Sequence, residues 1–337
     1  MIYELGLGLQ SDKPLGDYGE LAATAEAAGF ASVCVFNDLW FQPPLPALLA
    51  IARATSRVRL GPACLNPFTL HPVEIAGQIA MLDEASQGRA FLGLAHGAWL
   101  DELELPQARP LTAVREAWEV VRRLLAGDAD GFAGERFSLP AGRTLRYRRA
   151  RPEVPLLIGG WRPGIVALAG ELADELKLGG SANPAMIAVA RERLARGTGP
   201  AGRADGATGI VLGAVSVVDE DAEQARALAR RELLLYLPVV GALDPTASID
   251  PELALRLAEL CGAGRVAEAS ALIPDAIVDR FSLAGTPRQV AAHARELLDA
   301  GARRVEFGPP HGLDERAGVR LLAERVAPLV LAGTGTA

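Results

Sequence analysis

Cysteine is scarce in this 337-residue sequence, which contains only Cys34, Cys64 and Cys261. The three are odd in number and far apart, and no Cys-x-x-Cys pair occurs, which argues against a disulfide framework and a zinc site. The N-terminus also lacks the basic start and apolar stretch of a signal peptide. We therefore expect a protein of a reducing compartment, the cytoplasm.

Clustered basic charge and long apolar runs are missing as well. The formal net charge is -7 and the arginines are scattered, which is unlike a nucleic-acid-binding surface. No run of about 18 apolar residues lacks charges or Gly and Pro breaks, as a membrane-spanning helix requires. The expected partner is a small-molecule substrate, rather than nucleic acid or a membrane.

Several catalytic motifs are absent too. The sequence has no Gly-x-Ser-x-Gly nucleophile elbow, no P-loop, and no His-x-His or Glu-x-x-His pair that would mark a metal site. Gly6 and Gly8 are followed by Gln10 and Ser11, so the dinucleotide-binding fingerprint fails. Such sparse side-chain chemistry favours a cofactor that carries the reaction itself, without a metal.

What the sequence does contain is a regular alternation of apolar strands and amphipathic helices. Eight core strands begin near residues 3, 32, 58, 90, 155, 175, 210 and 304. Eight parallel βα units close into a (β/α)8 TIM barrel, which we predict as a single domain over residues 1–337. The rival is a doubly wound open sheet. Residues 129–152 are predicted as an excursion and 238–275 as a helical insertion before the last strand.

Functional residues are expected just after the strands, because the site of such a barrel lies at its C-terminal mouth. Two Gly-Gly pairs, at Gly159 and Gly179, precede predicted helices, where free backbone amides and the helix dipole suit a phosphate. Aromatic residues nearby suit a planar ring. The substrate pocket is predicted to include Trp40, Trp99 and His311.

Four segments resemble the luciferase-like family of flavin- and deazaflavin-dependent oxidoreductases, in matching order and spacing. They are AEAAGFASVCVFND (25–38), LGPACLNPFTLHPVEIAGQIAMLDEASQGRAFLGLAHGAWLD (60–101), IGGWRPGIVALAGELADELKLGGSANP (158–184) and FSLAGTPRQV (281–290). The chain is most similar to the branch that contains the coenzyme F420-dependent methylenetetrahydromethanopterin reductase. The resemblance implies a bacterial-luciferase-like barrel, coenzyme F420 or alternatively FMN as cofactor, and a homodimer.

The resemblance also implies site residues. In the family, a backbone bulge, often with a cis peptide, presses on the cofactor ring, and it matches Ala63 and Cys64. His96 and Asp38 are predicted as catalytic. The predicted cofactor-binding residues are Asn37, Asp38, Ala63, Cys64, Asn66, His96, Gly97, Gly159, Gly160, Trp161, Arg162, Gly180, Ser181 and Ala182.

Two departures from the family pattern leave the reaction open. The acidic residue that the reductase carries on strand one corresponds to Gly8, and the histidine that often follows the strand-two aspartate is Leu39. We therefore carry three predictions: hydride transfer between F420 and a small organic substrate, an FMN-dependent monooxygenase, and a cofactor-binding paralogue without catalysis.

Overall fold

The computed structural model describes residues 3–247 and 249–332, so both ends of the predicted domain and Ser248 of the predicted insertion lie outside the described residues. Eight parallel strands form the barrel: β1 (Glu4–Leu9), β2 (Ser32–Phe36), β3 (Arg59–Ala63), β4 (Leu92–Ala95), β7 (Leu156–Gly159), β8 (Glu175–Gly179), β9 (Gly209–Val218) and β11 (Arg304–His311).

The strands are hydrogen-bonded in the order β3-β2-β1-β11-β9-β8-β7-β4. Two further parallel bridges, Leu60 with Ala90 and Leu65 with Leu94, link β3 to β4 and complete the circle. The predicted (β/α)8 barrel is confirmed, since an open sheet would leave these two edges apart.

The connecting helices follow the predicted apolar stripes. They are α1 (Leu15–Ala27), α2 (Pro44–Ala54), α3 (Pro72–Ala85), α4 (Pro110–Ala126), α5 (Pro163–Leu172), α6 (Ala185–Thr198), α7 (Ala222–Val240), α11 (Pro287–Asp299), α12 (Glu315–Leu321) and α13 (Ala327–Leu331). Local signals set their ends: α11 begins with a capping box between Thr286 and Gln289, and α4 ends at Gly127 with φ of 77°. Among the described residues, no helix is long and apolar enough to cross a membrane.

The excursion at 129–152 contains a short hairpin of β5 (Phe132–Ala133) and β6 (Ser138–Leu139). Glu116 on α4 holds its turn, because the buried carboxylate accepts backbone N–H groups from Glu135, Arg136 and Phe137 at 2.7–2.9 Å.

The region before the last strand is helical as predicted, with α8 (Pro251–Gly262), α9 (Val266–Ala271) and α10 (Asp275–Phe281). Two details differ from the sequence prediction. A short strand, β10 (Ser282–Gly285), pairs with the far end of β9 outside the barrel circle. The last helix, which the sequence pattern predicts over residues 314–331, contains a π-helical turn at Leu322–Val326.

Charged side chains close the lower end of the barrel interior. Arg304 donates two hydrogen bonds of 2.6 Å to Glu175, and Arg59 donates one of 2.7 Å to Glu4. Burial raises the pKa of Glu175, but Arg304 and Arg59 outweigh it and lower this pKa to about 2. The base of the barrel is therefore an ion-pair layer in which each charge has a partner.

Small residues line the interior nearer the mouth. Alternation along the strands turns seven glycines inward near this level: Gly8, Gly61, Gly93, Gly159, Gly179, Gly213 and Gly308. A Cβ added at Gly159 would lie 2.8 Å from Cys64 Sγ, so there the wall is tightly packed. At Gly179, the last residue of β8, no described atom lies within 4 Å of an added Cβ. The mouth thus has open space on the β8 side.

Candidate active site

The loops after β2 and β3 are joined at the barrel mouth. Asn37 follows β2, and its Nδ2 donates a hydrogen bond of 3.3 Å to the carbonyl oxygen of Cys64, which follows β3. The Ala63–Cys64 peptide bond is cis, at the position that the resemblance indicates. Burial raises the pKa of the Cys64 thiol to about 12, so the thiol stays protonated near neutral pH.

Asp38 lies beside this junction and is held by the loop after β1. Gln10 Nε2 donates to Asp38 Oδ2 at 2.9 Å. Burial raises the pKa of Asp38, while the hydrogen bond from Gln10 and the charge of Lys177 partly offset that effect. A carboxyl with a raised pKa exchanges a proton closer to neutral pH than an exposed aspartate does.

His96 follows β4 and has an unsatisfied polar atom. Its Nε2 is buried and has no hydrogen-bond partner among the described residues. The ring packs edge-on against Phe68, with 5.2 Å between centroids. Burial lowers the pKa of His96, so the imidazole is neutral near pH 7 and can donate or accept one hydrogen bond. A buried orphan of this kind is suited to a ligand atom.

Asn66 and Gly97 stabilise the loops after β3 and β4 and do not face the open space of the mouth. Asn66 Oδ1 accepts the backbone N–H groups of Phe68 and Thr69 at 3.1 and 2.9 Å. Gly97 has φ of 102°, and an added Cβ there would lie 3.1 Å from Asn66 Cγ. These two predicted residues therefore hold the β3 and β4 loops against each other.

The loop after β7 presents a helix N-terminus and an exposed cation. Trp161 is buried, and its Nε1 donates to the Gly179 carbonyl oxygen at 2.8 Å, which ties this loop to β8. Arg162 is exposed at the N-cap of α5 and has no ion-pair partner within the described part of the chain. The amides of Gly164 and Ile165 lie in the first turn, where a helix has no internal acceptors.

The loop after β8 is arranged differently from the prediction. The amides of Gly180 and Ser181 both donate to the Gly213 carbonyl oxygen, at 2.6 and 3.0 Å, and that of Ala182 donates to Arg280 at 2.9 Å. The Gly160 amide is also engaged, by the Lys177 carbonyl oxygen at 3.1 Å. These four amides are internal sheet and loop donors, so the free amides suited to a phosphate are those at the start of α5.

The three residues predicted to line the substrate pocket lie in different environments. Trp40 is 74% exposed at the rim, and its Nε1 donates to Glu102 Oε2 at 2.8 Å, which bridges the β2 and β4 loops. Trp99 is half-buried in the β4 loop. His311 is fully buried: its Nε2 lies 3.0 Å from the Gly8 carbonyl oxygen and its Nδ1 3.3 Å from Glu315. His311 therefore supports β1 from inside, and we leave it out of the pocket.

Two residues at the mouth were not singled out from the sequence. Lys177 on β8 and Glu306 on β11 form a buried ion pair directly below the mouth. Their signal was a charged residue in the middle of an apolar strand that has both faces covered in a barrel.

Comparisons with known proteins identify the family to which the chain belongs. A family model described as luciferase-like monooxygenase matches residues 2–304. The 5,10-methylenetetrahydromethanopterin reductase of Methanopyrus kandleri is 29% identical over 339 residues, covering 95% of this chain and 96% of that protein. The reductase of Archaeoglobus fulgidus is 30% identical over 314 residues, covering 90% of this chain and 92% of that protein.

Solved structures give the same result. The coenzyme F420-dependent tetrahydromethanopterin reductase from Methanopyrus kandleri superimposes with a TM-score of 0.89 at 27% identity, covering 97% of this chain and 99% of that one. The family prediction made from the four segments is confirmed. This chain belongs to the luciferase-like monooxygenase family.

Proposed function

We propose that this protein is an oxidoreductase that binds coenzyme F420 across the barrel mouth and transfers hydride between F420 and a small organic substrate. The observation that carries the proposal is the junction between Asn37 and Cys64, which fixes two strand-end loops into one surface at a mouth whose β8 side is open at Gly179. Relatives that cover nearly the whole chain include F420-dependent enzymes, and this supports F420 as the cofactor.

The residues at the mouth fit such a cofactor in two places. Asn37, Asp38 and Cys64 provide the surface for a planar ring, and His96 Nε2 offers an unused hydrogen bond to a polar atom beside it. Arg162 and the first amides of α5 provide the positive end for an anionic tail. When bound, F420 supplies a carrier for two electrons and a proton, so the protein itself needs little acid–base chemistry.

The protein's own groups then orient and shield the reactants. The rim contact between Trp40 and Glu102 joins the β2 and β4 loops at the entrance, where a bound cofactor would help to exclude water. Asp38 and neutral His96 are the groups that exchange protons with a bound substrate. Holding two reactants in the productive geometry supplies much of the rate in such a site.

Cofactor binding tests the proposal. Purified protein is titrated with F420 and separately with FMN, following ring fluorescence. We expect saturable F420 binding and much weaker FMN binding, with Arg162→Ala weakening F420 binding about tenfold because a charge-assisted contact is lost. Arg196→Ala is the matched control, since Arg196 is also exposed but pairs with Glu192 on α6. Preference for FMN would indicate a monooxygenase, and binding of neither would refute the site.

We also propose a homodimer that uses α3 and α4. Apolar side chains remain exposed there, with Val73 and Met81 of α3 at 37% and 51% and Leu111 of α4 at 42%. Sedimentation velocity should show a dimer at micromolar concentration that Met81→Asp weakens, and a monomer at that concentration would contradict the proposal.

A further inference from the structure

Within the described part of the chain, one ion pair lies in the barrel interior directly below the mouth. The ammonium group of Lys177 contacts the carboxylate of Glu306, and their side chains are only 8% and 2% exposed. Lys177 Nζ also lies 4.6 Å from the centre of the Phe36 ring and 3.5 Å from Cys34 Sγ. Little water reaches these charges, so their fields are weakly screened and extend into the mouth.

The geometry places this pair at the floor of the proposed ring site. Gly179 lies two residues beyond Lys177 on the same inward face of β8, and an added Cβ there would have no described atom within 4 Å. On the β1 side, Phe36 and Gly8 cover Glu306. Small residues and one aromatic ring therefore separate the two charges from the open space.

Glu306 also occupies the volume that a side chain on β1 would enter. Its Oε1 lies 3.0 Å from where a Cβ on Gly8 would be, and 3.3 Å from where one on Gly213 would be. Position 8 is the one at which the resemblance expects an acid beside the ring. In this chain the acidic side chain at this place is Glu306 of β11, and it is paired with Lys177.

We propose that Lys177 and Glu306 are a positioning pair whose balanced charges keep the floor of the mouth neutral and so set the relative affinity for oxidised and reduced cofactor. This inference rests on the proposed function. A hydride carries two electrons and one proton, so the ring that accepts it gains one negative charge until a proton follows. The substrate that donates the hydride loses one unit of negative charge. An unbalanced cation below the ring favours the reduced form, and an unbalanced anion favours the oxidised form.

Lys177 keeps its positive charge in the folded protein, and Glu306 supplies the charge that balances it. Burial works against the charge of Lys177, but the contact with the carboxylate of Glu306 outweighs burial and raises the pKa of Lys177 above its ordinary value. The thiol of Cys34 stays neutral, because burial raises its pKa far above neutral pH. Glu306 is therefore the anion that balances Lys177.

The test compares dissociation constants for oxidised and reduced F420, measured by anaerobic titration calorimetry. Glu306→Gln removes the anion, and we expect the ratio of the two constants to shift towards the reduced form. Lys177→Met removes the cation and should shift it the opposite way. Each shift should be on the order of tenfold, the size expected for one unit charge within about 10 Å at an effective dielectric constant of about 20.

Two controls separate charge from packing. The double variant, Lys177→Met with Glu306→Gln, should return the ratio to near the native value, because the floor is again neutral. Cys34→Ser disturbs the same contact without changing charge and should leave the ratio unchanged. If Lys177→Met does not fold, Lys177→Gln replaces it, and Glu306→Gln alone still has a predicted sign.

The outcomes are distinct. Shifts of the same sign in both single variants, or no shift in either, would overturn the pair's role while leaving F420 binding intact. Failure of the native protein to bind F420 in either form would instead overturn the proposed function.

Discussion

The charged side chains are arranged differently at the two ends of the barrel interior. At the base, Glu175 holds Arg304 by two short hydrogen bonds, and Glu4 and Arg59 complete the layer. At the mouth, one pair, Lys177 with Glu306, lies under glycines, and His96 Nε2 has no partner among the described residues.

This contrast indicates which end is built for stability and which for a ligand. A buried charge costs several kcal/mol unless a partner satisfies it, and each charge at the base contacts an opposite charge, although Arg304 Nε has no hydrogen-bond partner among the described residues. The mouth leaves space at Gly179 and a free hydrogen-bonding atom at His96, which are costs that a bound cofactor would offset.

The largest effect on stability is expected from a substitution that breaks the ion pairs at the base of the barrel. Arg304→Met leaves the buried Glu175 without its main partner and should lower the free energy of unfolding by about 3–5 kcal/mol. Urea denaturation measures it. Arg196→Ala, which breaks an exposed i,i+4 pair, should cost less than about 0.5 kcal/mol. A loss below about 1 kcal/mol for Arg304→Met would show that the base is not a stabilising layer.

The base should also give the stability its acid dependence. Because the folded pKa of Glu175 is about 2 against an ordinary 4.5, its contribution is present above about pH 4.5. It is lost as the pH falls through about 2, and it amounts to about 3 kcal/mol. Unfolding free energies measured from pH 6 down to 2 should therefore decline more in the native protein than in Glu175→Gln. Parallel declines would refute this assignment.

Filling the mouth should change binding rather than stability. Gly179→Val places a side chain in the open space and should weaken F420 binding about a hundredfold, or about 2.7 kcal/mol, with less than 1 kcal/mol lost in unfolding. Gly262→Val is the matched control, because Gly262 on α8 also faces open space. Unchanged F420 affinity in Gly179→Val would place the cofactor elsewhere.

The smallest effect concerns His96. Burial lowers its pKa, so the protonation of His96 should appear in the pH profile of turnover as an acid limb below pH 6.5. His96→Asn should remove that limb and leave the rest of the profile unchanged. A limb that persists in His96→Asn belongs to another group, such as Asp38.

The sequence predicted the barrel well because its signal is local. Each strand, such as Ser32–Phe36, is a short apolar run between helical stripes, and each fits only one kind of element. The strand Ser282–Gly285 escaped prediction because its four residues carry no alternation and its partner is the distant β9.

The site was predictable in position but not in detail. The strand ends identified Asn37, Asp38 and His96 as mouth residues. They could not show that the Gly180 and Ser181 amides would be taken by the Gly213 carbonyl oxygen, because that acceptor is brought there by the fold. The pairing of Lys177 with Glu306 likewise joins strands that are not neighbours in the barrel.

Hydrogen–deuterium exchange of the native protein, with and without F420, tests the account most directly. Bound F420 is expected to slow exchange in residues 37–40, 63–66 and 161–165, while exchange in the base strands around Glu4 and Arg304 stays unchanged. Protection confined to other surfaces, with no change in these three segments, would contradict a cofactor site at the barrel mouth.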